Sequence, residues 1–139
     1  MYKLIEPEVA GGLGKHTQID NSFFPPIIKK LHYEFDGWLG DDILESFPCY
    51  IMTEFLKKAI ESEHLTGIIF DEVIISKSEI FLELYPDKEL PFFFWAKING
   101  EDNKDDFYIT KKNGLAISER AYLLLQKYNI SQADIEDLE

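Results

Sequence analysis

The sequence predicts an α+β fold: one domain, residues 1–139, in which two or three helices pack on an antiparallel or mixed sheet. Three observations lead to this class. The chain has 139 residues, of which 45% are hydrophobic, and this suffices for one buried core. Short β-prone runs outnumber helical segments and do not alternate with them as β-α-β units would. Asn113-Gly114, placed between two apolar runs, is typical of an antiparallel hairpin.

The first half of the chain shows three strand-like patterns. In the clearest one Leu31, Tyr33 and Phe35 point to one side, and His32 lies on the opposite, polar side. The predicted strands of this half cover residues 2–5, 30–36 and 49–52. Residues 10–14 contain three glycines without the spacing of a phosphate-binding loop, so we expect a surface loop there.

The second half is expected to contribute the remaining strands. Residues 68–75 form a β-branched run that predicts a central strand, interrupted by Asp71 and Glu72. Residues 92–99 carry large apolar side chains on both faces, which predicts an inner strand covered from both sides. The other strands are expected at residues 107–110, at 115–117 and, as a short strand or turn, within 130–139.

Three hydroxyl side chains are placed to cap helices: Thr53, Ser78 and Ser118. The helices that they predict cover about residues 54–63, a short segment that ends before Pro86, and about residues 119–128. The middle segment fits a strand over residues 79–84 equally well in its composition, and we favour the helix. The apolar stripe of the first helix is expected to consist of Phe55, Leu56, Ala59 and Ile60.

The formal net charge of -12 is concentrated in one part of the chain. Residues 36–72 contain nine acidic residues and only two lysines, and so carry more than half of it. A field of this sign repels nucleic acid and acidic membranes and attracts basic partners. The alternative is that the acidic surface serves only solubility.

The most acidic part of the chain also carries a lone tryptophan. Gly37 and Gly40 are expected to frame a tight turn that presents Trp38. An exposed aromatic ring ringed by acids is typical of a protein-recognition surface, and the alternative for this tryptophan is a place in the core. The predicted partner-binding residues are Trp38, Asp41, Asp42, Glu45, Asp71, Glu72, Asp105 and Asp106.

Catalytic, cofactor and metal sites are not predicted. No serine lies in a nucleophile-elbow setting, and no calcium-loop spacing occurs. Cys49, the only cysteine, is expected in the core. The alternative is a small metal-dependent hydrolase in which the pairs Asp41-Asp42 and Asp105-Asp106 meet around a hard cation. A structural subunit of a larger complex is a further alternative.

Seven segments along nearly the whole chain carry a family resemblance. They are Glu8–Gly14, Leu31–Asp42, Glu45–Pro48, Ser76–Glu79, Glu89–Pro91, Asp105–Phe107 and Ser118–Ala121. They resemble a family of small bacterial cytoplasmic proteins associated with immunity proteins (antitoxins) of polymorphic toxin systems, notably Bacillus-type partners of toxins with an LXG export domain. The resemblance implies an inhibitor that binds the basic C-terminal nuclease domain of a cognate toxin, an RNase, inside the producing cell.

The expected setting is therefore a cytoplasmic protein that is not an enzyme. Its expected partner is the cognate toxin, and neither nucleic acid nor a membrane is expected to bind. The start of the chain shows no apolar signal region, in line with a cytoplasmic location. The oligomeric state is left open by the sequence.

Overall fold

The computed structural model describes residues 1–138 and shows an α+β fold with mixed sheets. In chain order the elements are β1 (Lys3–Glu6), β2 (Gly11–Leu13), β3 (Gln18–Asp20), β4 (Ile27–Lys30), β5 (His32–Phe35), β6 (Ile43–Ser46), β7 (Cys49–Thr53), α1 (Glu54–Ser62), β8 (Ile68–Asp71), β9 (Ile74–Lys77), α2 (Glu79–Leu84), β10 (Phe93–Ile98), β11 (Phe107–Ile109), β12 (Leu115–Ile117), α3 (Glu119–Leu125) and β13 (Asp134–Asp137). Within the described range no helix has the length and apolar character that crossing a bilayer requires.

A four-stranded antiparallel sheet in the order β6-β7-β10-β8 occupies the centre. Successive side chains of a strand point to opposite faces, so β7 supplies both faces of this sheet. Tyr50 and Met52 belong to one hydrophobic core, whereas Cys49 and Ile51 belong to the other. All four side chains are buried. The central sheet is therefore covered on both faces, as the two apolar faces of residues 92–99 predict.

The first core lies between the central sheet and a second sheet with its helices. That second sheet has the order β11-β12-β1-β13, with every pair antiparallel. Helices α1 and α3 close the same core with side chains such as Leu56, Ile60 and Leu125, which are buried. At about 25 cal/mol per Å² of apolar surface, each fully buried side chain of this size contributes about 1.5–3 kcal/mol of transfer free energy.

The second core lies on the other face of the central sheet. It is covered by a three-stranded sheet in the order β2-β5-β9, in which β5 and β9 run parallel. Leu31, Tyr33 and Phe35 point into it and are at most 1% exposed, so the predicted alternation is confirmed. Helix α2 adds Phe81, which is buried against the same core.

All three predicted caps are confirmed. The hydroxyl groups of Thr53, Ser78 and Ser118 each accept the backbone N–H of the residue three positions later. The middle segment is therefore the helix and not the strand. In the predicted stripe of α1, Phe55 is the exception: it is 63% exposed, whereas Leu56 and Ile60 are buried.

The predicted central strand over residues 68–75 is corrected to two edge strands. β8 ends at Asp71 and forms the edge of the central sheet, and β9 begins at Ile74 and forms the edge of the three-stranded sheet. The chain changes sheets between them, where Asp71 and Glu72 break the apolar run. A β-branched run alone reports strand propensity and not the position of a strand within a sheet.

The glycine-rich run 10–14 contains the strand β2 and is not the predicted loop. β2 pairs with β5, and a Cβ on Gly11 would lie 1.9 Å from the backbone oxygen of Glu34. A Cβ on Gly14 would lie 2.2 Å from the His32 ring. Glycine is thus required at these two positions because neighbouring groups approach the backbone closely, and not because of turn geometry.

Gly11→Ala is expected to destabilise the fold by roughly 1–3 kcal/mol, because β2 must move away from β5 to relieve the overlap. Gly12→Ala is the matched control, since a Cβ at Gly12 meets nothing within 4 Å. Urea unfolding of both variants measures the difference in free energy of unfolding. Equal stability of the two variants would contradict the close approach of the two strands.

Candidate functional site

The Asp42 carboxylate is buried and hydrogen-bonded at both oxygens. Oδ1 accepts the Thr53 hydroxyl at 2.7 Å, and Oδ2 accepts the Asn129 backbone N–H at 2.8 Å. The backbone adds to this tie, because the Asp42 N–H donates to the Asn129 carbonyl oxygen at 2.7 Å. Asp42 is 8% exposed, and its side chain fixes the segment after α3 to the central sheet.

Asp41 and Trp38 are also held by hydrogen bonds within the chain. The Asp41 carboxylate, 1% exposed, accepts the Gln132 backbone N–H at 2.9 Å, and burial raises its pKa. The Trp38 indole N–H donates to the Asp41 carbonyl oxygen at 2.8 Å, and its half-buried ring packs edge-on against Phe93. The prediction that Trp38, Asp41 and Asp42 form an exposed recognition surface is corrected, since internal groups occupy both carboxylates and the ring joins the second core.

The second aspartate pair is also used internally. The Asp106 carboxylate, 6% exposed, takes a bidentate pair of hydrogen bonds from Arg120, at 3.0 and 2.8 Å, and accepts the backbone N–H of Thr66 at 2.8 Å. Burial alone would raise the pKa of Asp106, but hydrogen bonds from Arg120 and from the cap hydroxyl of α3 lower it to about 2. Half-buried Asp105 accepts the backbone N–H of Glu101 at 2.7 Å. Asp106 is therefore buried and joins α3 to the segment before β8, and its predicted role in partner contact stays a prediction.

Asp71 and Glu72 are exposed, as predicted, but their charges have positive neighbours. Asp71 pairs with Lys97 at 2.9 Å. Both acids line an open groove of about 410 Å³ that Lys29 and Lys30 also line. The acids and bases in this groove offset one another, so the groove presents a mixed charge and not an acidic one.

Glu45 alone among the predicted residues faces a cavity of predominantly acidic lining. It lies on β6 directly across from Tyr50 on β7, one residue pair from the turn that joins the two strands. The cavity, of about 350 Å³, opens there between the central sheet and the sheet that contains β1, β12 and β13. We call it the Glu45 cavity. Its lining residues are Leu4, Ile5, Glu6, Glu45, Tyr50, Lys112, Asn113, Gly114, Leu115, Asp134, Ile135 and Glu136.

Two polar groups of the Glu45 cavity have no hydrogen-bond partner within residues 1–138. One is the Glu45 carboxyl, whose pKa is raised to about 6 by burial and, to a smaller degree, by the charge of Glu6. The other is the hydroxyl of Tyr50, a residue only 4% exposed, whose pKa is raised by burial and by the charge of Glu45. Both groups line an open cavity and have no hydrogen-bond partner among the described residues, so they are free to bond to a group supplied from outside the chain.

The two aspartate pairs do not come together to form a shared metal site. Asp41-Asp42 bonds to residues 129–132, whereas Asp106 bonds to α3 and to Thr66, so the pairs lie in separate networks. In the described part of the chain no group of three His, Cys, Asp or Glu side chains is arranged to hold a metal ion.

A histidine–serine contact was not anticipated by the sequence. His32 is 3% exposed and not on a polar face, and its Nε2 lies 2.7 Å from the Ser76 hydroxyl. Its Nδ1 accepts the backbone N–H of His16, so Nε2 carries the proton and donates to Ser76. A nitrogen that carries its proton cannot take one from serine, and the contact is therefore structural. Cys49 is buried as predicted, and burial raises the pKa of its thiol to about 12.

Six polar residues of the Glu45 cavity were missed by sequence reasoning: Glu6, Tyr50, Lys112, Asn113, Asp134 and Glu136. Three of them lie on β1 and β13, far from Glu45 along the chain, and no local pattern connects them. Tyr50 could have been found, because a two-residue turn between β6 and β7 fixes it directly opposite Glu45.

Comparison with known proteins adds no relative to these observations. No protein-family model matches the chain, and no curated protein matches its sequence.

Asp42→Ala is expected to destabilise the fold by about 2–4 kcal/mol, because it leaves the Thr53 hydroxyl and the Asn129 N–H without their buried acceptor. Asp36→Ala, at an exposed position of the same acidic stretch, is the control. Thermal and urea unfolding measure both variants. A loss no larger than that of the control would show that the carboxylate does not hold the two segments together.

Glu45→Gln is expected to stabilise the fold near neutral pH and to change little in acid. The folded carboxyl has a pKa of about 6 against an ordinary value of 4.5, so the unfolded chain releases this proton first and stability is lost as the pH rises through that window. The full shift corresponds to about 2 kcal/mol, and solvent in the open cavity reduces the expected gain to about 1 kcal/mol.

Urea unfolding at about pH 4 and about pH 7.5 measures this pH-dependent difference. Exposed Glu72→Gln is the control. The charged groups that face Glu45 from neighbouring elements are Glu6, Lys112, Asp134 and Glu136, and they stay unchanged in both variants. A gain of the same size at both pH values would contradict the raised pKa of Glu45.

Proposed function

We propose that this chain is an immunity protein: it binds a cognate toxin domain, an RNase, in the producing cell and blocks the access of RNA to that domain. The observation that carries the proposal is the Glu45 cavity, where a carboxylate and a tyrosine hydroxyl lack internal partners. The resemblance of seven sequence segments to immunity proteins of polymorphic toxin systems supports the same function.

The charge of the Glu45 cavity suits a nuclease as partner. Four acidic residues line it, and Lys112 is the only basic residue among the lining side chains that the structure describes. An RNase binds the phosphates of its substrate with a basic surface, and an acidic surface on an inhibitor competes for it. Complementary charge also speeds the encounter of the two proteins.

Binding through this cavity keeps the fold-stabilising carboxylates out of the interface. Asp41, Asp42 and Asp106 are already hydrogen-bonded within the chain. Removing the single charge of Glu45 leaves those ties intact. The charge of this residue destabilises the fold near neutral pH, because burial raises its pKa, and a functional role for the charge accounts for its presence.

Co-expression tests the proposed function directly. The chain is produced in a cell together with the toxin domain encoded beside it, and growth and RNA integrity are scored. Restored growth, intact RNA and a co-purifying complex are the expected results. Neither rescue nor complex, with both proteins well expressed, would overturn the proposal.

Glu45→Gln combined with Glu6→Gln is expected to weaken toxin binding by about tenfold or more and to lessen its salt dependence, because two carboxylates of the acidic cavity are lost. Asp71→Asn combined with Glu72→Gln removes two exposed carboxylates from the mixed-charge groove and is the matched control. Affinity is measured by calorimetry across a range of salt concentrations. A larger effect of the control pair would move the interface to the groove.

A further inference from the structure

The size of the Glu45 cavity indicates a small ligand group. Pockets for drug-sized molecules run from roughly 300 to 1,000 Å³, and this cavity, at about 350 Å³, lies at the lower end of that range. It is open on one side, where Glu6, Lys112, Asp134 and Glu136 are exposed. One long side chain entering from a bound protein fits this shape better than a large enclosed metabolite.

The polar groups that line the cavity suit a cation with several hydrogen-bond donors. The Glu45 and Glu6 carboxylates lie close enough to raise the pKa of the Tyr50 hydroxyl, and no internal group donates to Glu45. A metal ion does not suit them, since residues 1–138 contain no cluster of three ligating side chains. A guanidinium carries five N–H donors in a planar fork and can bond to several separated acceptors at once.

The remaining walls suit the rest of an arginine side chain. Leu4, Ile5 and Leu115 give the cavity an apolar side. The methylene stem of arginine packs along apolar surface while its charged head reaches polar groups. Carboxylates and aliphatic side chains thus line the same cavity, as the head and the stem of one arginine side chain require.

We propose that the Glu45 cavity is a guanidinium-binding site that receives an arginine side chain from a protein partner. Glu45 and Glu6 accept the N–H donors of the guanidinium, and the Tyr50 hydroxyl accepts a further one. Lys112, at the edge of the cavity, opposes the bound cation. Only the nature of the partner rests on the proposed function, because the guanidinium chemistry stands on the cavity itself.

The test uses N-acetyl-arginine amide as the probe, followed by NMR of the full chain. The backbone amide signals of β1, β6, β7 and β13 are expected to shift, with a dissociation constant on the order of 1 mM for this single contact. N-acetyl-citrulline amide, the neutral analogue of equal shape, is the control and is expected to cause no saturable shift. Equal shifts with the two probes, or none with the first, would overturn the site.

Two variants change the affinity in opposite directions. Glu45→Gln is expected to weaken probe binding about tenfold, since a charge-assisted hydrogen bond becomes a neutral one. Lys112→Ala is expected to tighten it, because a like charge at the cavity edge is removed. Glu45→Gln is expected to fold at least as stably as the parent chain, so unchanged probe affinity in this variant would overturn the assignment.

A second probe, free arginine, distinguishes between a protein side chain and a metabolite as the source of the guanidinium. Free arginine carries an α-ammonium and an α-carboxylate that an arginine within a protein chain lacks, so binding no tighter than that of the blocked amide supports a protein side chain as the source. Tighter binding of free arginine would overturn that source in favour of a metabolite. Probe binding without toxin rescue would leave the site in place and remove the immunity function, whereas rescue without probe binding would remove the site alone.

Discussion

The hydrogen bonds of Asp42 are the constraint on which the rest of the molecule depends. Its carboxylate joins Thr53, the cap of α1, to Asn129, the start of the segment that follows α3. From there residues 129–132 lead directly into β13, which pairs with β1. A single buried carboxylate thus fixes the helical layer and the last strand relative to the central sheet, and so fixes one wall of the Glu45 cavity.

Two kinds of wholly or partly buried acid coexist in this fold. Asp42 and Asp106 receive hydrogen bonds from backbone and side-chain donors, and they connect elements that are distant in sequence. Glu45 receives none from the described residues, and its pKa is raised by burial. The first kind stabilises the native state and the second destabilises it near neutral pH. This contrast distinguishes Glu45 from the acids that are used inside the fold, which the local density of negative charge does not.

The sequence predicted the elements well where a signal is local. The caps Thr53, Ser78 and Ser118 and the alternation through Leu31, Tyr33 and Phe35 depend on neighbouring residues, and all are confirmed. The fold class follows from the same local signals. The prediction of one central strand over residues 68–75 was wrong, because its two halves pair in different sheets. Tertiary packing, and not the local sequence, sets this pairing.

The candidate site was predicted only in part for the same reason. Asp41 and Asp42 look exposed in sequence, since their hydrogen-bond donors at Asn129, Ser131 and Gln132 lie 87 to 91 positions away. Glu45 was found, but half of its polar neighbours in the cavity come from distant β1 and β13. Periodicity and charge counts identify which residues are acidic. Only the packed structure shows which of these acids have a carboxylate without an internal hydrogen-bond partner.

The pairing of β1 with β13 has a kinetic consequence. Lys3 contacts Asp137, a residue 134 positions later, so this sheet joins parts of the chain with the largest separations in sequence. Contacts of this kind carry a high loop-closure entropy and are associated with slow folding. During synthesis, β1 has no partner strand of its own sheet until β12 and β13 have left the ribosome. The cavity walled by β1 and β13 is therefore completed late, after the other strands of the chain have been synthesised.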